Sequence, residues 1–256
     1  MPRQFYRPFY GFVPNLGAKQ VPFGFQANGV HFNDTVPDYY TLAGGLNVTN
    51  GKAGSVICRF NTDAIDKQQY FFRTASNRMG FELTTTERIH FSCDQSASPG
   101  TLGANMNSLV ASFAADTWYT VLIAWDVAVG VSAARMYVNG VDRYSTTGEI
   151  AVDATLRYTG DNLGVGATDA GGTPYDGCLQ ALAFSTTYVD WSDKANRNLV
   201  HNEFNNLLLE PGVYGTNWIP GGDCEMLWVS PYTSYTNTGS GLDSFTEVSA
   251  PDECSK

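Results

Sequence analysis

The sequence has 256 residues, of which 43% are hydrophobic, 16% charged and 13% aromatic. This length suits one large β domain or two small domains, and the composition excludes a disordered chain, a coiled coil and a helical bundle. The 26 glycines, together with 14 tyrosines and 15 phenylalanines, indicate many strands joined by tight turns.

The charge balance of 15 basic and 25 acidic side chains gives a formal net charge of -10. A surface of this sign repels nucleic-acid phosphates and the anionic face of a membrane. The apolar stretch 118–134 has β-branched and aromatic residues interrupted by Asp126 and Gly130, which predicts strand, turn and strand rather than a membrane span. We expect neither nucleic-acid binding nor membrane insertion.

The five cysteines, at positions 58, 93, 178, 224 and 254, form no CxxC pair and no zinc-binding spacing with histidine. The first twelve residues lack the apolar run and cleavage site of a secretory signal. We therefore expect synthesis in a reducing cytosol, with most thiols free.

Residues 1–23 contain four prolines and three basic residues, with no acidic residue, and five aromatic residues fall within the first twelve positions. The prolines predict an extended arm that cannot join a strand ladder. We expect its aromatic residues to fill pockets on another subunit while its arginines pair with carboxylates there. Alternatively, the arm folds back and covers an edge strand of its own domain. The predicted assembly residues are Arg3, Phe5, Tyr6, Arg7, Phe9, Tyr10 and Phe12.

Short strands separated by turns follow the arm. Ile89, Phe91 and Cys93 alternate with His90 and Ser92, as expected for a half-buried antiparallel strand. The pattern predicts that the first three residues share a buried face.

Three further segments carry strong local signals. Residues 117–126 are apolar on both faces, which predicts a central strand covered on both sides. Asn139-Gly140 predicts a two-residue hairpin turn, because both positions of a type I′ turn need positive φ. The one predicted helix lies within residues 192–208, with Ser192 as its N-cap.

The motif order gives a further clue. A Trp-led strand, WYTVLIAWD, precedes ARMYVNGV, which ends in an Asn-Gly turn, and a later strand, YDGCLQALAFS, begins near Asp-Gly. This order resembles the laminin-G or pentraxin type of concanavalin A-like jelly roll, over about residues 26–200. The resemblance implies an all-β, two-sheet antiparallel jelly-roll sandwich. The residues at the family's motif positions are Trp118, Asn139, Gly140, Asp176 and Gly177.

The predicted organisation is an arm over residues 1–23, a jelly roll over 24–210 and a C-terminal β extension over 211–256. The extension is similar to tails of bacteriophage structural proteins. That likeness implies a non-enzymatic virion protein, made in the host cytoplasm, that serves as a head decoration or a tail or fibre component. Its partners would be capsid or tail subunits, with a homo-oligomer as a further option. The alternative is a carbohydrate-binding or host-receptor-binding lectin-like module that recognises a surface glycan, and an extracellular glycosidase comes third.

No catalytic residue is assigned. Glycosidases of this fold resemble one another in carrying an ExDxxE strand, which the sequence lacks. Glu82 and Glu87 flank a predicted turn and are interpreted as solvated hairpin charges. His31, His90 and His201 lie on separate elements, without the sequence context of an activated nucleophile.

Calcium is the cofactor that the family resemblance suggests. The candidate ligands Asp126, Asp161, Asp169 and Asp176 lie in or beside predicted loops. They form no dense acidic cluster, and aspartate is common in turns, so the turn-forming interpretation is favoured and no cofactor is assigned.

Carbohydrate binding would require exposed aromatic residues that stack on sugar rings. Tyr158, Tyr175 and Trp191 lie near predicted loops and are the candidates, with Tyr175 the first to test. The competing interpretation is that they pack in the core, as aromatic residues in sandwiches usually do.

Overall fold

The structure is a computed structural model that describes residues 29–35, 38–109, 113–200, 226–229, 246–247 and 252–254. These residues form two antiparallel β-sheets around one aromatic core, together with one short α-helix. The predicted all-β jelly-roll sandwich is confirmed. The predicted arm residues all lie outside the described residues, so the three-part division of the chain stays a prediction.

The strands are numbered in chain order. The first eight are β1 (Val30–Phe32), β2 (Tyr40–Leu42), β3 (Ala53–Thr62), β4 (Gln69–Thr74), β5 (Met79–Leu83), β6 (Ile89–Asp94), β7 (Leu102–Ser108) and β8 (Trp118–Asp126). The others are β9 (Arg135–Val138), β10 (Val141–Asp142), β11 (Tyr144–Ile150), β12 (Leu163–Val165), β13 (Gly177–Ser185), β14 (Met226–Val229), β15 (Thr246–Glu247) and β16 (Asp252–Glu253).

The first sheet has the order β10-β9-β8-β3-β13-β1-β16, and β14 pairs with the second half of β13. The second sheet has the order β11-β7-β6-β5-β4-β12-β2-β15. Three strands of the predicted C-terminal extension therefore join the sandwich: β14 and β16 belong to the first sheet, and β15 belongs to the second.

Strand β8 is central and covered on both sides, as its sequence predicts. Ile123 and Trp125 face the core between the sheets, whereas Leu122 and Ala124 face outward and pack in a second apolar cluster with Trp191. The Trp191 indole Nε1 donates a hydrogen bond to the carbonyl oxygen of Ile123 at 3.0 Å. The segment that follows β13 therefore covers the outer face of β8.

The hairpin between β9 and β10 turns at Asn139 and Gly140, which have φ angles of 49° and 76°. Both values lie in the left-handed region that a type I′ turn requires, so the predicted turn is confirmed. The Asn139 side chain also accepts a hydrogen bond from the backbone N–H of Thr120 at 2.8 Å, which ties the turn to β8.

The helix α1 spans Lys194–Val200, within the predicted segment. Its N-cap is Asp193, whose carboxylate accepts the backbone N–H of Ala195 at 2.8 Å. The predicted cap, Ser192, instead donates its hydroxyl to Asp190 at 2.6 Å. Among the described residues, no helix is long and apolar enough to span a membrane.

A disulfide joins Cys178, on β13, to Cys254, directly after β16. The expectation of mostly free thiols is therefore wrong for this pair, while Cys58 and Cys93 are free and buried. The two bonded cysteines are 76 positions apart in sequence, and they meet because β1 pairs with both β13 and β16. The sequence offers no spacing that reveals this neighbourhood.

Candidate functional site

The outer surface of the second sheet is polar where β4 to β7 lie side by side. On the β5–β6 hairpin, Phe81 and Phe91 point into the core, so Glu82 and His90, the cross-strand pair next to them, point outward. On β7, Ala104 and Met106 are core residues and the asparagines that alternate with them point outward. We call this outer surface of β4–β7 the polar face.

Five side chains form a hydrogen-bonded row across the polar face, which we call the polar ladder. Gln68 Nε2 donates to Glu82 Oε2 at 2.5 Å, and Glu82 Oε1 lies 2.5 Å from His90 Nδ1. His90 Nε2 lies 2.8 Å from Asn105 Oδ1, which also accepts from Asn107 Nδ2 at 3.5 Å. The ladder therefore links side chains from the start of β4 to β7.

Glu82 is buried, with 4% of its surface exposed, so its interpretation as a solvated hairpin charge is wrong. Burial by itself raises the pKa of this carboxyl, but the hydrogen bonds from His90 and Gln68 outweigh that effect and lower the pKa below its ordinary value. Glu82 is therefore a stable carboxylate. Glu87, by contrast, lies in the turn between β5 and β6 with a positive φ of 54°.

The imidazole of His90 faces an oxygen atom at each ring nitrogen. A neutral ring can donate at one nitrogen only. Because the Glu82 carboxylate can only accept, Nδ1 donates to Glu82, and the contacts at both ring nitrogens hold the imidazole between β5 and β7.

Arg73, at the edge of the polar face, lies over the Tyr70 ring, with 4.9 Å between its guanidinium carbon and the ring centroid. Its Nε donates to Asn77 Oδ1 at 3.2 Å. Gly80 is its cross-strand neighbour, and a Cβ atom there would lie 2.5 Å from both Cδ and Nη1 of Arg73. Burial raises the pKa of Tyr70, so its hydroxyl stays protonated.

A second cluster lies at one rim, where β1 and β3 end and β13 begins. His31 Nε2 lies 3.1 Å from Asp63 Oδ2, and Lys67 Nζ lies 2.9 Å from Asp176 Oδ2 and also pairs with Asp34. Burial alone lowers the pKa of Lys67, but the two carboxylates outweigh that effect and raise it. One ligand atom each from His31, Asp63 and Asp176 lies within 4.8 Å of the others.

The four calcium candidates do not converge. Among the described residues, Asp176 is the one candidate in a cluster of three such ligand groups, and it also forms an ion pair with Lys67. Asp126 accepts the N–H of Ala128 in its own turn, and Asp161 pairs with Arg157. Calcium takes six to eight oxygen ligands, and among the described residues the four aspartates contribute no shared cluster of carboxylate oxygens. Asp169 lies in the turn that follows β12.

The three aromatic candidates for sugar stacking are buried. Tyr158, Tyr175 and Trp191 are at most 2% exposed, so none of them presents a ring face to solvent. The Tyr158 hydroxyl donates to the carbonyl oxygen of Ala53 at 2.9 Å, and that of Tyr175 donates to the carbonyl oxygen of Asn61 at 2.8 Å. Their assignment as ligand-binding residues is corrected: they are core residues.

Most of the polar face was not predicted from the sequence. The alternation around His90 and Ser92 predicted one side of β6, but the same alternation at Asn105 and Asn107 of β7 was not part of that prediction. The signal was present, because Asn105 and Asn107 alternate with the apolar Ala104 and Met106. Of the histidines, His31 and His90 lie on separate sheets, and His201 lies outside the described residues.

Comparisons with known proteins agree with this architecture. The family model of the concanavalin A-like lectin/glucanases superfamily matches residues 34–192. A search of curated proteins found no match to the sequence.

Two solved structures share the fold at low identity, and a third matches with a lower TM-score. A "putative carbohydrate binding protein" from Bacteroides ovatus matches with a TM-score of 0.59 and 12% identity, over 90% of this chain and 60% of that protein. The heptameric SAP-like pentraxin from Limulus polyphemus matches with a TM-score of 0.50 and 14% identity, over 78% of this chain and 93% of the pentraxin. Mouse laminin alpha1 domains LG4-5 match with a TM-score of 0.45 and 15% identity, over 65% of this chain and 43% of the laminin chain. This chain thus spans three fifths of the length of the first protein.

Proposed function

The chain belongs to the concanavalin A-like lectin/glucanases superfamily, and we propose that it is a non-enzymatic carbohydrate-binding module whose sugar-binding surface is the polar face. The polar ladder carries this proposal. The fold likeness to a "putative carbohydrate binding protein" supports it.

The ladder suits sugar hydroxyls, each of which donates one hydrogen bond and accepts others. Amide, carboxylate and imidazole groups supply both functions in fixed directions. The ladder side chains, from the exposed Gln68 to the buried Glu82, hold one another in place through these hydrogen bonds, so binding a sugar costs little additional side-chain entropy. Strands in a sheet lie about 4.8 Å apart, so a ligand crossing β5 to β7 meets a polar group at each strand.

Two observations argue against hydrolysis on the polar face. Both oxygens of Glu82 accept hydrogen bonds and its pKa is lowered, so it is a poor general acid. Asp94 pairs with Arg78 and lies on β6, four residues beyond His90, the cross-strand partner of Glu82, which separates the two carboxyl groups by about 13 Å along the strand direction. Glycosidases hold their two carboxyl groups about 5–9.5 Å apart.

The virion role, with docking on capsid or tail subunits, stays a prediction from the arm and the C-terminal extension. Most of those residues lie outside the described part of the chain. None of the comparisons reported above supports a virion partner. The findings favour the lectin-like alternative.

A glycan array followed by calorimetry tests the proposed function. We expect binding to at least one oligosaccharide class, and we expect Asn105→Ala to weaken it about fivefold or more, since one hydrogen bond contributes about 1 kcal/mol. Asn198→Ala, at an exposed position of helix α1, is the matched control and should bind like the wild type. An array without binding, or an equal loss in both variants, would contradict the proposal.

A further inference from the structure

Arg73 is held in place by three contacts at the edge of the polar face. Its guanidinium stacks on Tyr70, its Nε donates to Asn77, and its stem occupies the space that a side chain at position 80 would need. Asn77 has a φ of 57° in the turn between β4 and β5, so the turn itself positions the acceptor. A guanidinium fixed in this way loses little freedom when it binds a ligand.

Arg73 forms no ion pair with a described carboxylate. By contrast, Arg78 pairs with Asp94 at 2.9 Å, and Arg157 pairs with Asp161 at 3.8 Å. One face of the Arg73 guanidinium contacts the Tyr70 ring, and its Nε donates to Asn77. No described group accepts a hydrogen bond from its two terminal nitrogens, Nη1 and Nη2. Those nitrogens form the fork that binds a carboxylate with two parallel hydrogen bonds.

The position of Arg73 places this fork beside the ladder. Tyr70, under the guanidinium, is the cross-strand neighbour of Glu82 and accepts a hydrogen bond from Gln68 at 3.1 Å. The positive charge of Arg73 lowers the pKa of both Glu82 and Tyr70, although burial is the largest influence on each. A ligand on the ladder can therefore also reach Arg73.

We propose that Arg73 is the anion-recognition residue of the polar face, and that the ligand is an acidic oligosaccharide whose carboxylate pairs with the Arg73 guanidinium. This inference rests on the proposed carbohydrate-binding function and specifies its ligand class. An acidic sugar is repelled by a chain with net charge -10. A fixed arginine that has no ion-pair partner among the described residues supplies the local attraction that such a ligand needs.

Binding to matched pairs of oligosaccharides tests the proposal. Each pair consists of an acidic probe and its neutral counterpart: a uronic-acid oligomer with its carboxyl-reduced form, a sialylated glycan with its asialo form, and a sulfated glycan with its desulfated form. We expect the wild type to bind one carboxylate probe at least tenfold more tightly than its neutral form. If only the sulfated probe bound more tightly than its neutral form, the proposal that Arg73 recognises a carboxylate would be overturned.

Two variants examine the role of Arg73 in different ways. Arg73→Met keeps the packing on Tyr70 without the charge, and should abolish the acidic preference while neutral binding persists. Gly80→Ala keeps the charge but displaces the guanidinium, because its Cβ would lie 2.5 Å from Nη1, and should also reduce the preference. Arg88→Gln removes one charge from the β5–β6 turn and is the matched control that keeps the preference.

The outcomes separate this inference from the proposed function. Equal binding of acidic and neutral probes, or an acidic preference that survives in Arg73→Met, would overturn the role of Arg73 and leave carbohydrate binding intact. An acidic preference that survives in Gly80→Ala, confirmed as folded by its thermal melt, would overturn the claim that the fixed position matters. Absence of binding to every probe would overturn both proposals.

Discussion

Removing the disulfide between Cys178 and Cys254 should cost the protein much of its stability. The bond closes a chain segment of 76 positions, and it fastens β16 beside β1 at the edge of the first sheet. In the chain-entropy model, closing a loop of that length lowers the entropy of the unfolded chain by about 15 cal/mol/K, or about 4.5 kcal/mol at room temperature. For a domain of this size the loss corresponds to a fall in Tm of about 9–18 °C.

Calorimetric melting of the wild type, the reduced wild type and a Cys178→Ala/Cys254→Ala variant measures this effect. Alanine is preferred to serine because both positions are buried, and a hydroxyl there would need a hydrogen-bond partner. We expect the variant and the reduced protein to melt together, well below the oxidised protein. A reductant should not change the Tm of the variant, which controls for effects on other thiols. Identical melting of oxidised wild type and variant would refute the reasoning.

Three further predictions concern stability. Because the pKa of Glu82 is lowered in the fold, the ionised carboxylate stabilises the folded protein above the unfolded pKa of about 4.3, and this stabilisation is lost as pH falls through the folded pKa. Glu82→Gln should therefore flatten the acid side of the curve of Tm against pH, and parallel curves for wild type and variant would contradict this. Trp125→Ala should cost about 3–5 kcal/mol in urea unfolding, since the fully buried ring stacks on Phe91 at 4.3 Å; a loss below 1 kcal/mol would show that the core refills the space. Gly177→Ala should destabilise strongly, because its φ is 139° and the new Cβ would lie 2.3 Å from the carbonyl oxygen of Asn61; a wild-type melt would show that the backbone there adapts.

Local sequence determined the elements whose physics is local. The Asn139-Gly140 turn follows from two adjacent residues that tolerate positive φ, and the burial of β8 follows from its unbroken apolar run. The alternation around His90 likewise predicted which side of β6 faces the core. In each case, the residues that decide the conformation are neighbours in the chain.

The binding surface depended on contacts that no local pattern contains. Glu82 and His90 belong to one hairpin, but Asn105 joins them only because β6 pairs with β7 in a particular register. Whether Arg73 is fixed depends on the absence of a side chain at Gly80 on the neighbouring strand. A shift of one residue in either pairing would move these groups to the opposite face.

The sequence by itself therefore determined the strand-rich character, the central strand, the hairpin turn and the helical segment, because propensity and periodicity act between neighbours in the chain. The jelly-roll type followed from the resemblance of the motif order to a known family. Only the tertiary structure decided that Tyr175 is a core residue, that Cys178 meets Cys254, and that the polar ladder forms. Those facts depend on strand register and sheet order, which arise from the packing of segments far apart in sequence.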